Sequence, residues 1–270
     1  MLLKKFSVQN FKNFKESFMI DLSDVKNYPY STQCLSKGII KNAIIYGKNA
    51  VGKTNYGLAM VDITYHLVDK NGVPQSLTNY CNADADSDIV SFSYVFQRDD
   101  DEIIYKYTKR AARELATESL LLNDQLVFSF DYDKQKGDFS HLAEFGLNTL
   151  NWEFRDNKIS VLRYMANNLT LDERNPVREV MKFVTGMLWF RSLGINNEYV
   201  GFSTVVESMA DYIIKNGFVH EFETFLNAYG VHEKICAVAQ ADGKMSLFFK
   251  HNHLVPFFNA SNGTNALLTF

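Results

Sequence analysis

Gly47-Lys48-Asn49-Ala50-Val51-Gly52-Lys53-Thr54 matches the pattern G-x-x-x-x-G-K-[ST] in full. Glycines at its two ends admit backbone angles and close approaches that a side chain would block, so successive amide N–H groups can turn inward onto phosphate oxygens. Lys53 then supplies a point charge for the β- and γ-phosphates, and the Thr54 hydroxyl supplies a ligand for the magnesium that bridges them. A plain glycine turn accounts for Gly47 and Gly52 but not for lysine followed by threonine.

Such a loop works only between a strand and a helix. Residues 42–46 (Asn-Ala-Ile-Ile-Tyr) form a short apolar run that stops at Gly47, which predicts a buried central strand. From Lys53 to about Val68, the residues Leu58, Val61, Tyr65 and Val68 share one helical face, and Asp69-Lys70-Asn71-Gly72 supplies a stop. Strands are predicted over 2–9 and 18–22, and an antiparallel meander over 89–96, 103–108, 119–122 and 127–132, with Asn123-Asp124 as a turn. Helices are predicted over 157–168, 176–191, 203–215 and 219–229, with Pro176 in a first turn and Gly217 and Gly230 at helix ends. Residues 235–240 and 245–250 alternate around Asp242-Gly243, a hairpin signal. The expected fold class is α/β, organised as a strand-rich lobe over 1–145, a helical subdomain over 146–231 and a return to the first lobe over 232–270.

Composition narrows the function classes. With 46% hydrophobic and 22% charged residues, the chain has ample core-forming material, which excludes disorder and low-complexity repetition. A net charge of −3 gives no global attraction to nucleic acid or to an anionic membrane, so either would need a local patch. Cys34, Cys81 and Cys236 are far apart and lack C-x-x-C spacing, so they read as reduced thiols of a cytoplasmic protein and not as a disulfide framework or zinc site. No stretch reaches the length of a membrane span. A guanine-reading [NT]-K-x-D sequence is missing, which disfavours a GTPase. Arg110 and Arg113 stand alone where a small-molecule kinase would carry an arginine-rich lid.

Asn10-Phe11-Lys12-Asn13-Phe14 on the first strand, the Gly47 to Thr54 loop, and Ser261-Asn262-Gly263-Thr264 near the end resemble the RecF/SMC-like branch of ABC-type P-loop ATPases. That branch includes the OLD-like and "AAA family" ATP-binding proteins of bacterial phage-defence loci. The resemblance covers the two ends and the strand-rich part of the chain. It implies a P-loop ABC-type ATPase head with an antiparallel meander and a helical insertion, using ATP and Mg2+. Lys12 would approach nucleotide phosphates or DNA, and Ser261 and Gly263 would be signature residues that meet the γ-phosphate held by a second copy. Partners so implied are a second copy or a higher homo-oligomer, and an effector or nuclease protein. The role implied is antiviral defence; DNA repair or recombination, and a scaffold that binds nucleotide without turning it over, stand as alternatives.

The chain departs from the family in one respect. A Walker B strand ending Asp-Glu is expected after the signature, whereas the sequence given stops at Phe270, which reads as a fragment without catalytic acids. Residues 126–131 look similar but precede the signature, and Tyr132 stands where the glutamate belongs. Gln97, at the end of the 89–96 strand, is a candidate for the Q-loop glutamine of such proteins, with an ordinary exposed strand-end glutamine as the commoner explanation. His251 and His253 lack a third ligand, and the acidic run 99–102 sits between two strands, where a solvated turn is expected.

Overall fold

Strand β1 (Leu2–Gln9) turns Phe6 and Val8 into the core and leaves Ser7 and Gln9 on the other face. Antiparallel β2 (Phe18–Asp21) flanks it, with Ser7 opposite Met19. A two-residue ribbon, β3 (Leu35–Ser36) with β4 (Ile39–Ile40), leads to the glycine loop. Helices α1 (Lys53–Val61) and α2 (Thr64–Leu67) follow. Next come β5 (Val90–Arg98), β6 (Asp101–Ala111), β7 (Glu114–Leu122), β8 (Gln125–Asp131) and β9 (Lys136–Asp138). Together they make a seven-stranded antiparallel sheet in the order β2-β1-β5-β6-β7-β8-β9.

Strict alternation gives this sheet two chemically different faces. Val90, Phe92, Tyr94 and Phe96 of β5 and Ile103, Tyr105 and Tyr107 of β6 are buried on one face. The other face carries Ser7, Ser93, Lys106, Ser119 and Ser129 in one cross-strand row. Helix α1 lies on the aromatic face. Phe6 meets Tyr56 edge-on at 5.4 Å, and the Tyr94 hydroxyl donates to the carbonyls of Ala59 and Met60 at the far end of α1. Helices α3 (Val161–Asn168) and α4 (Pro176–Thr185) complete this part of the chain, capped by Ser160 and Asn175.

The computed structural model describes residues 1–26, 29–68, 77–147, 159–191, 198–201, 209–240, 245–261, 264 and 267. It divides into two compact units, Met1–Met187 and Leu188–Phe270. The second unit contains a ribbon of β10 (Leu188–Arg191) with β11 (Glu198–Gly201), helices α5 (Met209–Lys215) and α6 (Val219–Ala228), and a sheet of β12 (Ile235–Ala239), β13 (Met245–Lys250) and β14 (Leu254–Pro256). Ile213, Phe222, Leu226, Ile235, Leu247, Phe249 and Phe257 form its core. The helices grouped by sequence over 146–231 are therefore split, with α3 and α4 in the first unit and α5 and α6 in the second.

The α/β class holds, with the meander and the β12–β13 hairpin in the expected places. Three expectations need correction. Residues 42–46 form no strand: Ile44 is 91% exposed and Tyr46 89%, and no described strand pairs with them. A run apolar on both faces needs strands on both sides, and none of the sheet's seven positions accommodates it. The single helix expected from Lys53 to Val68 breaks at Asp62, whose carboxylate turns into the core. The helix expected over 176–191 ends at Thr185, where Gly186 follows and the aromatic Trp189 and Phe190 favour the β10 ribbon. The stop at 69–72, the start of the 157–168 helix, the first part of the 203–215 helix and the Asp242-Gly243 turn lie outside the described residues.

Two networks of ion pairs and hydrogen bonds engage most of the carboxylates and hydroxyls buried in the first unit. Asp62 and Lys109 are both fully buried and pair at 2.6 Å. The Asp62 carboxylate also accepts from the hydroxyls of Tyr80 (2.6 Å) and Tyr107 (3.0 Å), while Lys109 donates to the Ala112 carbonyl at 2.8 Å. Glu118, on β7, accepts from the hydroxyls of Tyr105, Tyr132 and Ser160 and from the backbone N–H of Val161 and Leu162, so it holds the start of α3. His66 bonds the Tyr105 hydroxyl at 2.8 Å, and its Nδ1 has no partner among the described residues.

Burial first, then the charges of Lys109 and Arg163, hold His66 well below the ordinary histidine pKa. The unfolded chain therefore binds a proton at His66 that the folded chain refuses, and stability falls as pH drops below about 6.5. The expected slope approaches about 1.4 kcal/mol per pH unit. His141, shifted upward by Glu144 at the surface, acts with the opposite sign in this window. Urea denaturation of the wild type and of His66→Phe at pH 7.5 and 5.5 isolates the buried ring. Equal losses in both proteins would refute its role.

Candidate functional site

The glycine loop leads into α1 through Gly52, which has φ +101° and serves as the helix N-cap. The left-handed angle strains any other residue at Gly52, and a Cβ there would fall 2.2 Å from Asn13 Nδ2, so the exposed Asn13 side chain would have to move. Ala50 is also left-handed, at φ +64°. The first bond of the helix runs from Tyr56 N–H to the Gly52 carbonyl at 2.8 Å, which leaves the amides of Lys53, Thr54 and Asn55 without a carbonyl partner in the helix. Gly52 offers no side chain to cap them, and no acidic residue lies in the first turn. The result is an open positive helix end, suited to an anion.

Lys53 folds back across the loop. Its Nζ donates to the carbonyls of Gly47 (2.8 Å) and Lys48 (2.7 Å), so the ammonium is tethered at the mouth while remaining exposed. Thr54 is exposed beside it. Gly47, Lys48, Asn49, Ala50, Val51, Gly52, Lys53 and Thr54 form one loop that runs into the first turn of α1. The strand expected in front of them is missing. Among the described residues, no group of three or more His, Cys, Asp or Glu side chains is arranged to hold a metal.

Lys12 is not the residue that meets the loop. It is left-handed (φ +50°) and bound to the segment that precedes β5: its N–H donates to the Tyr80 carbonyl, its Nζ to the Asn79 carbonyl, and its own carbonyl accepts from Asn82 Nδ2. Partial burial lowers its pKa. Asn13 makes the contact instead, with Oδ1 accepting from Asn55 Nδ2 at 2.7 Å and Nδ2 set against Gly52. Asn13 lies inside the motif that drew attention to Lys12, but nothing in the spacing marks an amide over its basic neighbour.

Ser261 Oγ accepts from the Thr264 N–H at 3.1 Å and lies 2.9 Å from the Thr264 hydroxyl, as a helix cap does. It belongs to the second unit, and Gly263 lies outside the described residues. Gln97 closes the β5–β6 turn by donating to the carbonyls of Asp99 and Asp101. Asp131 ends a meander strand; hydrogen bonding to Lys134, first through its ammonium, holds the carboxyl below the usual range. His251 faces Glu233 at 3.4 Å on the surface. None of the described helices is long and apolar enough to cross a membrane. No protein-family model matches the chain, and no curated protein matches it.

Proposed function

We propose that residues 47–54 bind the phosphates of Mg-ATP and that the chain is part of an ATPase head of the P-loop ABC type. The observation that carries this reading is the loop itself: a tethered but exposed Lys53 at an uncapped helix N-terminus, reached through a left-handed glycine. Lys53 would exchange two carbonyl partners for phosphate oxygens, Thr54 would hold magnesium, and the free amides of the first turn would receive the remaining phosphate charge. When bound, magnesium would neutralise charge between the phosphates. Ser261 and Gly263 would serve the nucleotide of a second copy, so binding would drive pairing of heads and control of a partner protein, in antiviral defence.

Thermal unfolding with and without Mg-ATP, on the wild type and Lys53→Ala, tests this, with mass by light scattering on the same samples. Ligand at a hundred times its dissociation constant stabilises the bound state by about 2.7 kcal/mol. The midpoint should rise by several degrees in the wild type, accompanied by doubled mass, and should not move in Lys53→Ala. An equal rise in both proteins, or none in either, refutes phosphate binding by this loop.

A further inference from the structure

The turn after β1 and the glycine loop are joined by one side chain, Asn13. Its oxygen is used by Asn55 in the first turn of α1, and its nitrogen lies against Gly52, the last residue before the helix. The Nδ2 group has no acceptor among the described residues, and Asn13 is exposed. It therefore brings two unengaged N–H donors to the helix end where Lys53 and the free amides converge. Its neighbour Lys12 is committed elsewhere through its N–H, its carbonyl and its ammonium. Left-handed backbone at Lys12 separates the two side chains, sending one to the 79–82 segment and the other to the loop.

We infer that Asn13 is a binding residue of the phosphate site: its oxygen braces the first turn of α1 through Asn55, and its nitrogen donates to a phosphate oxygen of the bound nucleotide. This rests on the phosphate-loop reading above and assigns the contribution of the turn after β1 to an uncharged amide in place of the lysine beside it. Phosphate carries only acceptors there, so an amide nitrogen is accommodated whereas a carboxylate would be repelled.

Substitution at this position separates bracing from ligand contact. In Asn13→Asp an oxygen remains to accept from Asn55, while the donor becomes an anion; in Asn13→Ala both are lost. Calorimetric titration of the 270-residue chain with Mg-ATP, together with unfolding midpoints of the ligand-free proteins, covers wild type, Asn13→Ala, Asn13→Asp, Lys12→Met and Lys53→Ala. We expect about tenfold weaker binding in Asn13→Ala, a further loss of about tenfold in Asn13→Asp, and a change within about threefold in Lys12→Met. Ligand-free midpoints of the Asn13 variants should match the wild type. Wild-type affinity in Asn13→Ala, or Asn13→Asp binding as well as or better than Asn13→Ala, overturns the assignment. If Lys53→Ala also binds as well as wild type, the loop reading has failed; if Lys53→Ala loses binding, only the role of Asn13 has.

Discussion

Asp62→Ala is expected to destabilise the first unit by about 3–5 kcal/mol, the range found when one partner of a buried ion pair is removed. The alanine leaves the Lys109 ammonium with only the Ala112 and residue-62 carbonyls, in a place with no solvent access. It also strands the hydroxyl of Tyr80 and leaves that of Tyr107 with only the Tyr94 hydroxyl at 3.3 Å. Urea denaturation at pH 7.5 gives the loss, and pairing the substitution with Lys109→Met shows its origin. With both charges gone no ion is left unpaired, so the double variant should recover more than half of the stability that Asp62→Ala loses. A single variant within about 1 kcal/mol of wild type would mean that the pair opens to water in solution.

Glu118→Gln should cost about 2–4 kcal/mol although it preserves shape. Five donors converge on the two carboxylate oxygens, and an amide replaces one of those oxygens by a donor. At least two of the five would then face an N–H group: hydroxyls there must turn to accept, and a first-turn amide of α3 loses its carboxylate acceptor whichever oxygen is replaced. Two of the donors are the first amides of α3, so the damage should be localised. Hydrogen exchange at Val161 and Leu162 should accelerate well before the sheet loosens. Unchanged exchange at these amides, with stability preserved, would refute the view that the carboxylate holds the helix in place.

These two carboxylates show where the sequence was hard to read. The meander was legible because apolar and aromatic residues recur at every second position of β5 and β6, and the loop was legible because lysine and threonine follow its second glycine. A search for apolar periodicity passes over Asp62, Lys109 and Glu118, since it assigns charges to water. All three occupy inward positions, with partners distant in sequence, so only the folded chain shows that they are satisfied. The break at Asp62 has the same origin: local pattern favoured an unbroken helix, and a long-range ion pair overrode it. Residues 42–46 failed in the opposite sense. Their composition describes a central strand faithfully, but the described residues include no neighbour for it. The Asn13–Asn55 contact was obscured by proximity, because the charged Lys12 beside it draws attention first.

The pairing of β1 with β5 sets an order of events on the ribosome. Strands β5 to β9 are consecutive hairpins that can zip locally as they emerge. Strand β1 has only the four-residue β2 beside it until Val90–Arg98 has been made. Helix α1 likewise waits for Tyr94 and Lys109, which receive its far end. The glycine loop is therefore synthesised early and assembled late, and a nascent chain released before the meander emerges would carry the whole motif with nothing to hold its shape.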